Sequence, residues 1–148
     1  MRKQSIVNTV LVTATLIACL FAGNTAYAEG ANLSGRTLYE LGETRDPAKV
    51  DQLLAALNTS DHHLRRIAVR ALGKIGHEKA VAPLIEILES KDEMPMVKSA
   101  AAWALGALKA GEALDSLSCC LKDDSWVCLE ARKAILKITR HYNMLASL

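Results

Sequence analysis

The sequence predicts an all-α fold, an α-α superhelix built as a short solenoid of about three and a half helical hairpins. Three observations predict it. Apolar residues recur at one-face helical spacing along most of the chain, as in Val50, Leu53, Leu54 and Leu57. The same helix–turn–helix unit then returns at offsets of about 30–33 residues, the scale of a helical solenoid. Finally, only 4% of the residues are aromatic, and Ala, Leu, Ile and Val supply most of the apolar share. That balance suits packed helices better than a β-sandwich.

In chain order, residues 1–28 read as a secretory signal peptide. Arg2 and Lys3 open it, Ile6–Phe21 is an apolar run, and Ala26-Tyr27-Ala28 places small residues where signal peptidase reads them. Cleavage between Ala28 and Glu29 would leave a repeat domain over 29–148, exported to the periplasm. Two other readings stand beside this one. The run could stay as an uncleaved anchor, although the next cation after it is only Arg36. Alternatively, Leu16-Ile17-Ala18-Cys19 has the pattern of a lipoprotein signal, with Cys19 lipidated; only then is a membrane a partner.

The repeat domain opens on half a unit, 34–45. Ser34 caps a helix from about Gly35 to Leu41, which Gly42 ends. Full units follow at 46–77, 78–111 and 112–141. In the first, Asp46 and Pro47 supply an N-cap oxygen and a residue suited to the first helical position. Asn58–Ser60 break that helix. Asp61 caps the next, with Leu64, Ile67, Ala68, Ala71, Leu72 and Ile75 inward, and Gly76 closes it. The second unit repeats this with Val81, Leu84, Ile85 and Leu88, then Val97, Ala100, Ala101, Ala104, Leu105 and Leu108. The third has Leu114, Leu117, Ser118 and Leu121, then Val127, Ala131, Ala134, Ile135 and Ile138. Gly73 and Gly106 recur at equivalent places, although each costs a helix about 1 kcal/mol relative to Ala. Their recurrence implies close backbone contact between neighbouring hairpins.

Charge argues against nucleic acid. Removing Arg2 and Lys3 with the signal leaves 16 cations against 16 anions, so the usual electrostatic driving force is missing. Three cysteines remain: Cys119, Cys120 and Cys128. In an oxidising compartment a pair is expected to bridge. Cys120 and Cys128 flank a turn between two predicted antiparallel helices and form one candidate pair; reduced, partly buried thiols are the other reading. The vicinal pair Cys119–Cys120 would make a strained ring.

The segments VRALGKIG at 69–76 and WALGAL at 103–108 are each followed by a short turn and an AV- or AL-containing helix. They resemble the short bacterial HEAT-like repeat, the class also found in phycobilin lyase subunits. The resemblance covers about Leu38–Ile138. It implies the superhelical fold and leaves function open, because the repeat serves many unrelated roles. The third copy departs from the pattern. Leu136 stands in place of the Gly of the ALG triplet, and Cys128 in place of the basic residue seen as Arg65 and Lys98. It reads as a terminal cap, held by a disulfide where the other copies have a charge contact.

Two constellations invite a chemical reading. His62-His63 and His77-Glu78 are similar to the His-Glu dyads with which deoxyhypusine hydroxylases, HEAT-like in fold, hold a di-iron centre. Here one His-Glu dyad occurs, in the turn after Gly76, so no metal and no cofactor are expected. No nucleophile elbow and no Gly-rich phosphate loop is present, and the chain is therefore expected not to be an enzyme. The lyase likeness implies tetrapyrrole attachment, an activity those enzymes carry out in the cytoplasm on larger arrays.

The outward side of the second helices carries the better signal. In stacked solenoids these helices tend to line the concave face. One column reads Tyr39, Arg70, Trp103 and Lys133. Arg66, Ser99 and Leu129 lie on one side of it, and Glu43, Lys74, Ala107 and Lys137 on the other. An exposed Trp flanked by cations is the residue mix of interface hot spots. Tyr39, Arg66, Arg70, Lys74, Trp103 and Lys133 are the expected contact residues for another protein or an acidic peptide segment. The alternative at Trp103 is packing against its neighbouring helix. Trp126 is expected to cap the last repeat. The function expected is an exported scaffold or adaptor. The alternatives are a non-catalytic subunit or partner-dependent periplasmic enzyme, lyase-like, and a lipid-anchored envelope assembly factor.

Overall fold

A computed structural model describes residues 34–122 and 125–147. The signal segment expected at 1–28, with Cys19 and the Ala28–Glu29 junction, lies outside the described residues. Among the described residues there are seven α-helices: α1 Gly35–Thr44, α2 Val50–Ala56, α3 His62–Ile75, α4 Val81–Glu89, α5 Pro95–Leu108, α6 Leu114–Cys119 and α7 Trp126–Ala146. After α1 the helices pair as hairpins α2–α3, α4–α5 and α6–α7. The first helix of each hairpin is preceded by a single 3₁₀ turn: Pro47–Lys49, Glu78–Ala80 and Gly111–Ala113.

The helix starts are set by side-chain caps that satisfy otherwise orphaned amides. Ser34 accepts from the Thr37 amide at 3.3 Å, Asp46 from Ala48 at 2.9 Å and Asp61 from His63 at 2.7 Å. Pro95 occupies the first turn of α5. At the other ends, Gly76 closes α3 with φ 79°. Arg45 and Lys109 adopt the same left-handed conformation, with φ 51° and 57°, after α1 and α5. The first helix therefore does not stop at Gly42. It runs to Thr44, and Gly42 is buried within it.

Gly42, Gly73 and Gly106 share one packing role. A Cβ on each would lie 2.7 Å from an atom of the alanine facing it on the next inner helix: Ala71, Ala104 and Ala134 respectively. Backbones of α1, α3, α5 and α7 thus touch in succession, and these four helices form one continuous inner layer. The shorter helices α2, α4 and α6 pack mainly on their hairpin partners and meet one another less. This close stacking sets the outward sides of α3, α5 and α7 next to one another as one surface.

The core runs between the layers through Leu38, Leu53, Leu72, Leu84, Leu105, Leu117 and Ile138, all fully buried. Leu64, Ile67 and Ile75 face inward as expected and pack partly buried against the core, and Val69, outside the expected stripe, is completely enclosed. The reason is that α3 is flanked by α1 on one side and α5 on the other, so its buried arc is wider than a single stripe. Ser118 and Leu121 are exposed. The helix α6 is only six residues long and passes into a 3₁₀ turn at Cys120–Lys122, whose tighter winding turns Cys120 inward instead.

The bridge expected between Cys120 and Cys128 is not formed. The Cys120 thiol is directed back along α6 onto the Ser116 carbonyl at 3.4 Å, and that of the buried Cys128 onto Leu121 at 3.9 Å. A charge contact ties the earlier hairpins. Arg65 donates through Nε and Nη2 to Glu93, each at 2.9 Å, and through Nη1 to the Thr59 carbonyl. This clamps the α2–α3 turn to the α4–α5 turn. Burial alone would raise the Glu93 carboxyl. The Arg65 hydrogen bond, the Met94 amide and the charges of Arg65 and His62 outweigh it and hold the group below the ordinary glutamate value.

Candidate functional site

The outward side of the inner layer carries a groove of about 780 Å³ between α3, α5 and α7. Its walls follow from helical register. Arg66 and Arg70 are one turn apart on α3. Met96, Ser99 and Trp103 form an i, i+3, i+7 stripe on α5. Trp126, Glu130, Lys133 and Lys137 form an i, i+4, i+7, i+11 stripe on α7. The stacking of the inner helices brings these three stripes side by side.

Trp103 packs against its neighbouring helix and also borders the groove. It is partly buried and packs on the core, with its ring edge against the Gly73 position. Its face carries the Arg70 guanidinium, whose carbon lies 4.8 Å from the ring centroid. A guanidinium stacked on indole is held in place while its edge stays able to donate hydrogen bonds. Arg66 faces the same space, and its Nε is buried without a hydrogen-bond partner among the described residues. Lys133 and Lys137 bring further positive charge from α7. Glu130, the one carboxylate among the described residues of the groove wall, lies 2.7 Å from Lys133. The site therefore combines two indoles with an excess of cations, a combination suited to carboxylate ligands with an apolar part.

Four of the six expected contact residues, Arg66, Arg70, Trp103 and Lys133, line this groove. Tyr39 and Lys74 do not. They line a smaller adjoining hollow between α1 and α3. There the Lys74 ammonium lies 4.4 Å from the Tyr39 ring centroid and is ion-paired with Glu43. The hydrogen bond from Lys74, and then that from Tyr39, lowers the Glu43 carboxyl below its ordinary value. Lys74 is thus a neutralised cation that fixes α3 to α1. Trp126 is 85% exposed and belongs to the groove wall instead of capping the last repeat. Its spacing to Glu130, Lys133 and Lys137 is the signal in the sequence that assigns it there.

The histidines have local roles. His77 Nδ1 accepts from the Lys79 amide at 3.1 Å and caps the turn before α4. His62 sits beside Arg65, 3.7 Å from Glu93. Among the described residues no three His, Cys, Asp or Glu side chains converge as a metal-binding group.

Comparison with known proteins follows the same lines. A family model described as HEAT repeats matches residues 29–94 and 50–136. The phycocyanobilin lyase subunit beta of Thermosynechococcus vestitus is 39% identical over 102 residues, covering 69% of this chain and 44% of the relative. The phycocyanobilin lyase subunit alpha of a Picosynechococcus species is 40% identical over 84 residues, 52% of this chain and 31% of the relative. A deoxyhypusine hydroxylase of Phaeosphaeria nodorum is 37% identical over 76 residues, 51% and 23% respectively. The chain spans less than half the length of each of these relatives. These names correct one expectation. The lack of a nucleophile elbow or phosphate loop argues for a non-enzyme, yet proteins sharing this repeat segment are named as enzymes, and that reading is set aside. Contiguous motifs are a poor guide here because a solenoid assembles its sites from side chains on successive helices.

Proposed function

Starting from a chain that belongs to the HEAT-repeat family, we propose that it binds an acidic segment of a partner protein in the groove between α3, α5 and α7, and that it serves with that partner as a lyase-like enzyme subunit. The observation that carries this reading is the composition of the groove wall. Among the described residues, Arg66, Arg70, Lys133 and Lys137 converge around Trp103 and Trp126, with Glu130 the one carboxylate opposing them. The likeness to proteins named as lyase subunits supports the dependence on a partner chain. The sequence at 1–28 supports an exported location, with the lipidated form through Cys19 as the alternative; a lipid-anchored assembly factor would follow from that form.

A pull-down from the native source tests the proposal, comparing the wild-type protein with Arg70→Glu and Trp103→Ala variants. Recovery of a partner by the wild type and its loss from both variants supports the groove. Unchanged recovery by both overturns it.

The relatives' printed names favour a second occupant, phycocyanobilin. The groove volume of about 780 Å³ lies within the range of small-molecule sites, and its indoles and cations suit a conjugated carboxylate. Absorbance titration with free phycocyanobilin separates the two readings. A spectral shift abolished by Arg70→Glu supports the pigment, and an unchanged spectrum removes it.

A further inference from the structure

The column formed by Gly42, Gly73 and Gly106 marks where each inner helix receives the next. Its fourth member is Leu136 on α7, placed two residues after Ala134 as Gly73 is after Ala71 and Gly106 after Ala104. This face of α7 is open. Leu136 is 63% exposed, and Leu129, one heptad earlier, is 54% exposed. Asn143 falls one heptad later and is also exposed. The seam Leu129–Leu136–Asn143 is flanked by Arg132, Lys133 and Arg140, all exposed. On the whole of α7, four basic residues stand against the single carboxylate Glu130, which is already engaged by Lys133. Beside the seam, Leu136, Arg140 and Met144 border a hollow of about 400 Å³ between α5 and α7.

The occupant follows from shape and charge. A Leu at this position keeps a neighbouring backbone from the contact distance that the glycines allow. Another hairpin of the same repeat spacing is therefore excluded, and a helix here must sit at an ordinary interaxial distance of about 8–10 Å. Leu129 and Leu136, at i and i+7 with basic residues between and after them, offer two apolar anchors to one partner helix laid along α7. A second copy of α7 would set these cations against one another. We propose that the outward face of α7 docks a helix of a partner protein, one with an apolar seam flanked by acidic residues. Leu129, Leu136 and Asn143 lie outside the groove wall, which this surface meets at Lys133, and the proposal stands independently of the groove's occupant.

A peptide with Leu at its a and d positions and Glu at its e and g positions is a defined probe, since its own charges oppose self-pairing. Its binding is followed by fluorescence anisotropy on Arg70→Glu protein, in which the groove is disabled. The expected result is salt-sensitive binding that weakens by at least about tenfold, or 1.4 kcal/mol, when Leu136→Glu is added. The matched peptide with Lys at e and g should not bind. Leu136 is exposed, so this substitution leaves the fold intact, which circular dichroism verifies. Absence of binding to Arg70→Glu protein overturns the proposal, as does binding indifferent to Leu136→Glu. Sedimentation showing a dimer that Leu136→Glu disperses would identify a second copy as the occupant and also overturn it. So would binding to phosphatidylserine vesicles without binding to the peptide.

Discussion

Gly73→Ala sets two physical effects against each other. Taken alone, helix propensity favours the change by about 1 kcal/mol. The structure opposes it. The new methyl group would lie 2.7 Å from Ala104 Cβ, 2.8 Å from Ala104 Cα and 3.0 Å from the Trp103 ring. An ordinary carbon–carbon contact is about 3.5–4.0 Å, so α3 and α5 must part by roughly 1 Å. The obstacle is backbone, which cannot rotate away as a flexible side chain can. Overpacking of this kind costs about 1–3 kcal/mol. With the obstruction at the upper part of that range, the net expectation is a loss of about 1–2 kcal/mol. Urea unfolding of the wild type and variant measures it. Emission from Trp103, recorded in a Trp126→Phe background, reports whether the groove wall moves. A gain of stability with an unshifted emission spectrum would refute the account, because it would mean the inner helices are not in backbone contact.

Further outcomes follow from the same structure. Leu105→Ala, at a fully buried position, should cost about 2–5 kcal/mol in denaturant melts; a loss below about 0.5 kcal/mol would place the core elsewhere. Lys109→Gly should stabilise by about 0.5–1 kcal/mol, since a left-handed φ is costly for a residue with a Cβ and glycine's greater unfolded freedom offsets only part of the relief; reduced stability would contradict the cap. Glu93→Gln should destabilise by about 1–3 kcal/mol at neutral pH through loss of charged hydrogen bonds to Arg65. The Glu93 pKa is lower in the folded chain than the reference value of 4.5. Its contribution is therefore fully present above that value and is lost as the pH falls through the folded pKa. Acid titration of stability should be steeper for the wild type than for Glu93→Gln, and parallel curves would remove the clamp.

Much of the fold can be read from the sequence because each hairpin is specified locally. Asp46, Asp61 and Gly76 cap where expected, and the ALG triplets repeat in register. Alignment of Tyr39-Glu40-Leu41-Gly42 with Arg70-Ala71-Leu72-Gly73 already holds the role of Gly42 as a packing residue. Gly42 is not a stop signal, because Arg45, without being a glycine, takes the left-handed cap. Val69 was invisible to a one-stripe reading because burial on both flanks of α3 is a property of the stack. The candidate site divides in the same way. Arg66, Arg70, Trp103 and Lys133 are legible as columns. Neutralisation of Lys74 by Glu43 is not, since it depends on how α1 and α3 are spaced. Trp126 stands at a turn, which suggests a cap, but its spacing to Glu130, Lys133 and Lys137 assigns it to the groove.

The groove between α3, α5 and α7 is proposed to bind carboxylate-bearing segments of a partner. Calorimetric titration with an oligoglutamate peptide carrying a single aromatic residue tests it most directly, using wild type and an Arg70→Glu/Lys137→Glu double variant. Both replaced side chains are exposed, so the fold is retained. The wild type is expected to bind with an affinity that weakens with added salt and falls by at least about tenfold in the variant. Equal binding by the two proteins, or none by the wild type at low salt, would contradict it.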